Sequence, residues 1–488
     1  MTSCLASAGE WLARLQRREL SSVELLHQLL ARCDTLHPAL NAVVVRDADR
    51  ALARAAQADA ARARGEDWGA LHGLPMTVKE SFDVAGLPTT WGHESLRGNV
   101  ATHHATAVQR LVDAGAIVFG KTNVPVSLAD WQTFNPVYGT TNNPWDVSRT
   151  PGGSSGGSAA ALAAGLTPLE LGSDIGASIR NPAHYCGVYG HKPTWGVVPM
   201  AGHQVPGVAC IDRLDIAVAG PMARSAADLR LALDVLTRPL QRFGPLGWHP
   251  AAWRPPGLPP PRLRVALWTD DPVAPVDAAV QARLQALADF LRQQGVAVDE
   301  DTRPVDSAET HFVYLHLLRA ATGAWLDDAT WTQFREQAAR YAADDRRYEA
   351  AHYRGSTLSH RDWVALDQRR ASLRHQWDAF FTRYDLLITP VACTTAFAHH
   401  QHGERWERLV PVNGTARPGT DSLFWAGLPG VVGLPATAFP LGCAADGLPV
   451  GAQVIGPAMA DPDTLRFAHW LEQTWRGFEP PPMATSLP

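Results

Sequence analysis

Residues 151–180, PGGSSGGSAAALAAGLTPLELGSDIGASIR, limit the folds open to this chain more than any other stretch. Two glycine turns here each present serine, Gly152-Gly153-Ser154-Ser155-Gly156-Gly157 and Gly176-Ala177-Ser178, with an alanine-rich segment between them. Glycine reaches positive φ and lets backbone approach closely, so such turns can gather several N–H groups on one point. The run 158–164 predicts a short helix whose positive end faces the first turn. Residues 169–171 predict a short buried strand that ends at the second turn. A strand, a glycine turn and a serine hydroxyl beside backbone amides supply what a nucleophile and its oxyanion need. A flexible Gly/Ser linker is the bland alternative, but linkers rarely sit in sequence this rich in Ala and Leu.

The rest of the chain reads as a large buried core around that stretch. Of 488 residues, 46% are hydrophobic and 19% charged, against about 25% charged in an average soluble domain. The net charge of −5, with no basic block, argues against nucleic acid as the main partner. Six scattered cysteines without a CxxC pair fit a reduced, cytoplasmic protein. The N-terminus lacks the apolar run of a signal peptide. Residues 423–445 are uncharged and long enough to span a bilayer, but Pro429, Pro435 and Pro440 break them into expected buried strands and turns. No membrane partner is expected.

Along the chain, Ser21-x-x-Glu24 predicts a capping box opening a helix with Leu25, Leu26, Leu29 and Leu30 at helical spacing. Residues 73–79 predict a turn and a strand that delivers Lys79 into an apolar neighbourhood beside Met76 and Val78. Residues 115–122 match the phosphate-loop pattern GxxxxGK[ST], but the four middle residues are apolar and strand-like, and Pro125 interrupts any following helix. Nucleotide binding is therefore set aside. Prolines crowd 239–261, the best surface connector, and 305–384 predict mostly helix.

Lys79, Ser154 and Ser178, with the text around them, resemble the amidase signature family. The matching segments are GLPMTVKESFDVAG, GKTNVPVSLAD, PGGSSGGSAAALAAG, GSDIGASIRNPAHYCGVYGHKPTWG and GPMARSAADL. The likeness is strong over about 71–229 and general elsewhere. It implies one α/β domain over 1–488, a mixed central sheet covered by helices on both faces. It also implies a Ser–cis-Ser–Lys triad. Ser178 would form the acyl-enzyme, and Ser154, after a cis Gly153–Ser154 peptide, would relay protons to a neutral Lys79. The N–H groups of Ile175, Gly176, Ala177 and Ser178 would cradle the oxyanion, with Ser155, Asp174 and Arg180 in support. The family usually has Gly-Gly-Ser where this chain has Gly176-Ala177-Ser178. Ala avoids positive φ, so Ala177 is expected in an ordinary conformation.

The resemblance implies hydrolysis of a small or aryl carboxamide, with no cofactor and no metal. A small-molecule amide is the expected partner, and a homodimer stays open. By likeness to the fatty acid amide hydrolase type, 127–131 should line the acyl pocket, Leu128 closest. Trp131, Trp195, Phe424 and Trp425 could make it aryl-tolerant, although all four also read as ordinary core. His399, His400 and His402 lack further ligands at metal spacing and read as a loop at the pocket mouth. Two alternatives stay open. One is the glutamine-hydrolysing component of a tRNA-dependent amidotransferase, against which 359–390 looks more like the free-standing enzymes. The other is an α/β-hydrolase with Ser154 as nucleophile in GxSxG, which needs a later Asp and His.

Overall fold

The computed structural model describes residues 4–208, 213–237, 253, 257–300, 302–342 and 344–485. The capping box at Ser21 closes in both directions. The Glu24 amide donates to Ser21 Oγ at 3.1 Å, and the Ser21 amide donates to Glu24 Oε2 at 2.7 Å. This starts the helix Ser22–Leu40, which buries Leu25, Leu26 and Leu29 and stops at Asn41, in the left-handed region. The chain then enters the sheet.

Among the described residues eleven strands form one mixed sheet. Across it they run Val43–Arg46, Ile117–Thr122, Pro75–Lys79, Leu169–Asp174, Val218–Ala223, Tyr189–Lys192, Ala436–Cys443, Pro449–Ile455, Leu386–Pro390, Arg264–Leu267 and Ala297–Glu300. Helices flank this sheet, and strands from residue 43 to residue 455 share it, so the chain forms a single α/β domain. Pro75–Lys79 lies parallel to both its neighbours, whereas the strands from Leu169–Asp174 to Leu386–Pro390 pair antiparallel in turn. Ligands of such sheets gather outside the carboxyl ends of parallel strands. Lys79 and Asp174 are the last residues of two such neighbours.

Three local readings change. The helix after the first turn is Gly156–Ala163, starting two residues earlier than the alanine run suggests. The strand before the second turn extends to Asp174, because Gly172 and Ser173 pair with Gly220 and Ala219 instead of turning. On its other side Val218–Ala223 meets Tyr189–Lys192, and there Gly220 allows close approach, since a Cβ on it would lie 2.1 Å from the His191 carbonyl oxygen. Residues 423–445 are not all strand and turn: Leu423–Val432 is a buried helix with Pro429 inside it. Pro429 has no N–H for the Trp425 carbonyl one turn back. Gln453 Nε2 donates to that oxygen at 2.9 Å, so the helix survives its proline.

Of the proline-dense connector, 239–252 and 254–256 lie outside the described residues. The phosphate-loop match is mostly strand, Ile117–Thr122, with Lys121 buried against Pro88 and Thr89. No helix among the described residues is long and apolar enough to cross a membrane.

Candidate active site

Lys79 is fully buried at the end of its strand. Its Nζ lies 2.6 Å from Ser154 Oγ, 2.9 Å from Ser173 Oγ and 3.4 Å from the Ser173 carbonyl oxygen. Burial pushes the amine down to about 7. Residues 73–78, which precede Lys79, carry no acid to oppose that shift, but the neighbouring strand brings two, Asp174 and then Glu170. Neither restores an ordinary lysine. Burial drives Glu170 up to about 8, so it is largely protonated at neutral pH. Burial would also raise Asp174, yet Arg180 outweighs it and holds the carboxylate below its ordinary value. Glu80 faces away from this cluster and accepts from the amides of Thr90 at 2.6 Å and Trp91 at 3.0 Å.

The first serine turn is held from outside. The Gly153–Ser154 peptide is cis, and Gly152 sits at φ +88°. A Cβ on Gly152 would lie 2.5 Å from Asn181 Oδ1. That oxygen accepts the Gly153 amide at 3.1 Å, and Thr133 Oγ1 donates to the Gly152 carbonyl at 2.8 Å. The Ser155 amide donates to the Ser178 carbonyl at 3.0 Å, which ties the two serine turns together.

The second turn wraps one buried carboxylate. Asp174 accepts from Arg180 Nη2 at 2.8 Å and Nε at 3.0 Å, from the Ala177 amide at 3.0 Å and from the Ile179 amide at 3.1 Å. This arrangement overturns the expectation for Ala177, which stands at φ +65°. The bond to Asp174 holds it there and occupies its N–H. Ala177 therefore has no free amide for an oxyanion, and it does not line the cavity, whereas Ile175, Gly176 and Ser178 do.

The cavity over these turns measures about 320 Å³ and is lined by Ser154, Ser173 and Ser178 among others. The whole of 127–131 lines it, and Ser127 and Leu128 both hold positive φ, +54° and +56°. Trp131 lines it too and donates from Nε1 to the Gly176 carbonyl at 2.7 Å. The other three expected aromatics do not line it. Trp195 donates to the Leu214 carbonyl at 2.9 Å, while Phe424 and Trp425 are buried in the core. Trp91, Phe334 and Phe397 supply its remaining aromatic lining. Of His399, His400 and His402, expected at the mouth, only His400 lines the cavity, and no group of three or more His, Cys, Asp or Glu among the described residues could hold a metal ion.

Ser173, Arg319 and Arg405 escaped the sequence reading. Arg319 left a signal, a lone cation inside the apolar helical run VYLHLLRAA. Ser173 left none, because the pairing of its strand with Pro75–Lys79, and no local motif, brings it to Lys79.

A mixed sheet flanked by helices, with a buried lysine and two turn serines over its parallel strands, defines an α/β hydrolytic enzyme. A family model described as Amidase matches residues 24–465, and the chain belongs to the amidase family, enzymes that hydrolyse amide C–N bonds. The A component of glutamyl-tRNA(Gln) amidotransferase from Synechococcus sp. (strain CC9605) is 34% identical over 98% of this chain and 98% of that one. A solved structure described as a vestigial protein complex revealing the origins of an s-triazine catabolic enzyme is 29% identical, TM-score 0.80, covering 97% of this chain and 99% of the other. A bacterial aryl acylamidase at 24% identity shares the fold, with TM-score 0.80 over 99% of both chains.

These relatives correct one expectation. Net charge argued against nucleic acid, yet the Synechococcus relative is named as one component of an amidotransferase acting on a glutamyl-tRNA. A net charge sums over the whole surface and says nothing of what an assembly brings to one of its chains, so the exclusion does not stand.

Proposed function

We propose that the chain hydrolyses a carboxamide through an acyl-enzyme on Ser178. The observation that carries this is Lys79, fully buried, lowered to about 7 and 2.6 Å from Ser154 Oγ. A neutral amine there accepts the proton of Ser154, which in turn takes the proton of Ser178 as its Oγ adds to the substrate carbonyl. The proton returns along the same path to the leaving nitrogen as the C–N bond breaks. Water then adds to the ester, and the carboxylate leaves. The oxyanion falls to the amides of Ile175, Gly176 and Ser178, with Ala177 removed from that set. Asp174 and Arg180 hold the turn, Ser155 joins it to the first, and Leu128 and Trp131 bound the acyl pocket. A hydrolysis screen over acetamide, benzamide, an anilide and glutamine tests the reading. At least one amide should be cleaved, and Ser178→Ala should abolish that cleavage; an unchanged rate in Ser178→Ala contradicts it.

Two finer readings divide here. The names of the curated relatives support the glutamine-hydrolysing component of a tRNA-dependent amidotransferase more than a free-standing amidase. On that reading the chain copurifies with other proteins of the complex, and its glutaminase activity depends on them. Full activity of the isolated chain contradicts it.

A further inference from the structure

We propose that the cavity takes an amide whose far end carries a carboxylate and no ammonium group, held by Arg319 and Arg405. This rests on the acyl-enzyme reading above and decides between its two finer readings against glutamine. Arg319 lies on the helix Ser307–Gly323 and lines the cavity, yet is only 7% exposed. Its Nε is buried without a hydrogen-bond partner. No ion pair with Asp or Glu reaches it among the described residues, and its guanidinium stands 5.5 Å from the Tyr348 ring centroid. Arg405 lines the same cavity, also with no ion pair among the described residues. His352 lines it as well, with Nδ1 buried and unpartnered, and burial and the two arginines push its imidazole down, so it is neutral.

The acids of this wall are already taken. Asp130 pairs with Arg408 and Asp174 with Arg180. The cavity therefore holds cationic charge without a counterion and no carboxylate free for a cation. A buried guanidinium lacking an anion is costly, and a ligand carboxylate relieves that cost through charge-assisted, two-pronged hydrogen bonds. An α-amino acid would bring an ammonium group to the same wall with nothing to receive it.

The test compares glutaramate, L-glutamine and pentanamide as substrates of the full-length enzyme. Glutaramate should exceed pentanamide in kcat/KM by about tenfold or more, mainly through KM, and should exceed glutamine. Arg319→Met should collapse the glutaramate-to-pentanamide ratio, and Arg319→Lys should keep part of it. Arg405→Met, at a less buried site, carries the same test should Arg319→Met fail to fold. Calorimetry of glutarate on Ser178→Ala reads the anion site apart from the chemistry. Binding that is lost with Arg319→Met or Arg405→Met supports the proposal. No binding, a ratio near one, a ratio unmoved by both arginine variants, or glutamine as the best substrate overturns it. Absence of a Ser178 adduct with a fluorophosphonate would instead overturn the acyl-enzyme reading and leave the glutarate result standing.

Discussion

Ala177 sits at φ +65°, where an L-residue other than glycine loses about 1–2 kcal/mol. The hydrogen bond from its N–H to Asp174 fixes that conformation, so Ala177→Gly should leave the thermal midpoint level or slightly raised, while a β-branched Ala177→Val should lower it. Asp174→Asn should destabilise by about 3–5 kcal/mol in denaturant unfolding, because Arg180 would be left as a buried unpaired charge. Lys79 sets the pH behaviour. Its amine is lowered to about 7 from 10.5, so kcat/KM should rise as pH passes about 7 and stay high above it. Stability follows the same shift. Between about 7 and 10.5 the unfolded chain binds the proton that the folded one has lost, so this group's contribution to stability rises with pH across that window. A profile falling between pH 7 and 9 would contradict a neutral Lys79. Lys79, Ser154 and Ser178 were legible because glycine turns and a strand-end lysine leave a mark in sequence. Asp174 and Glu170 as neighbours of Lys79 were not, since strand pairing brings them there.

Elements were legible where one local rule decides them and opaque where a distant side chain does. The helix Ser22–Leu40 follows from its capping box and leucine spacing. The helix Leu423–Val432 could not be read through Pro429, because Gln453, from another strand, satisfies the carbonyl that proline abandons. Gln453 also donates from Nε2 to the Pro390 carbonyl at 3.0 Å, and its Oε1 accepts from Arg180 Nη1 at 2.8 Å. Gln453→Leu should therefore destabilise by about 1–3 kcal/mol for each buried group left unmet, read by denaturant unfolding. A loss within about 0.5 kcal/mol, the usual range of a surface change, would show that the helix does not depend on this residue.

For the molecule as a whole, the family and the sheet were legible because the long motifs fall on the strands and turns at its centre. The cavity's character was not. Three of the four aromatics proposed for it went to core and loop packing, and its cations came from segments that the motifs do not reach. The proposed relay needs hydroxyls, amides and an amine, so activity should survive EDTA and dialysis. Loss on chelation with recovery on added zinc would contradict that. The acyl-enzyme is most directly tested by intact-mass analysis and peptide mapping after treatment with a fluorophosphonate. One adduct is expected, on the peptide containing Ser178, and absent from Ser178→Ala. An adduct on Ser154 would contradict the account and restore the α/β-hydrolase reading of GxSxG.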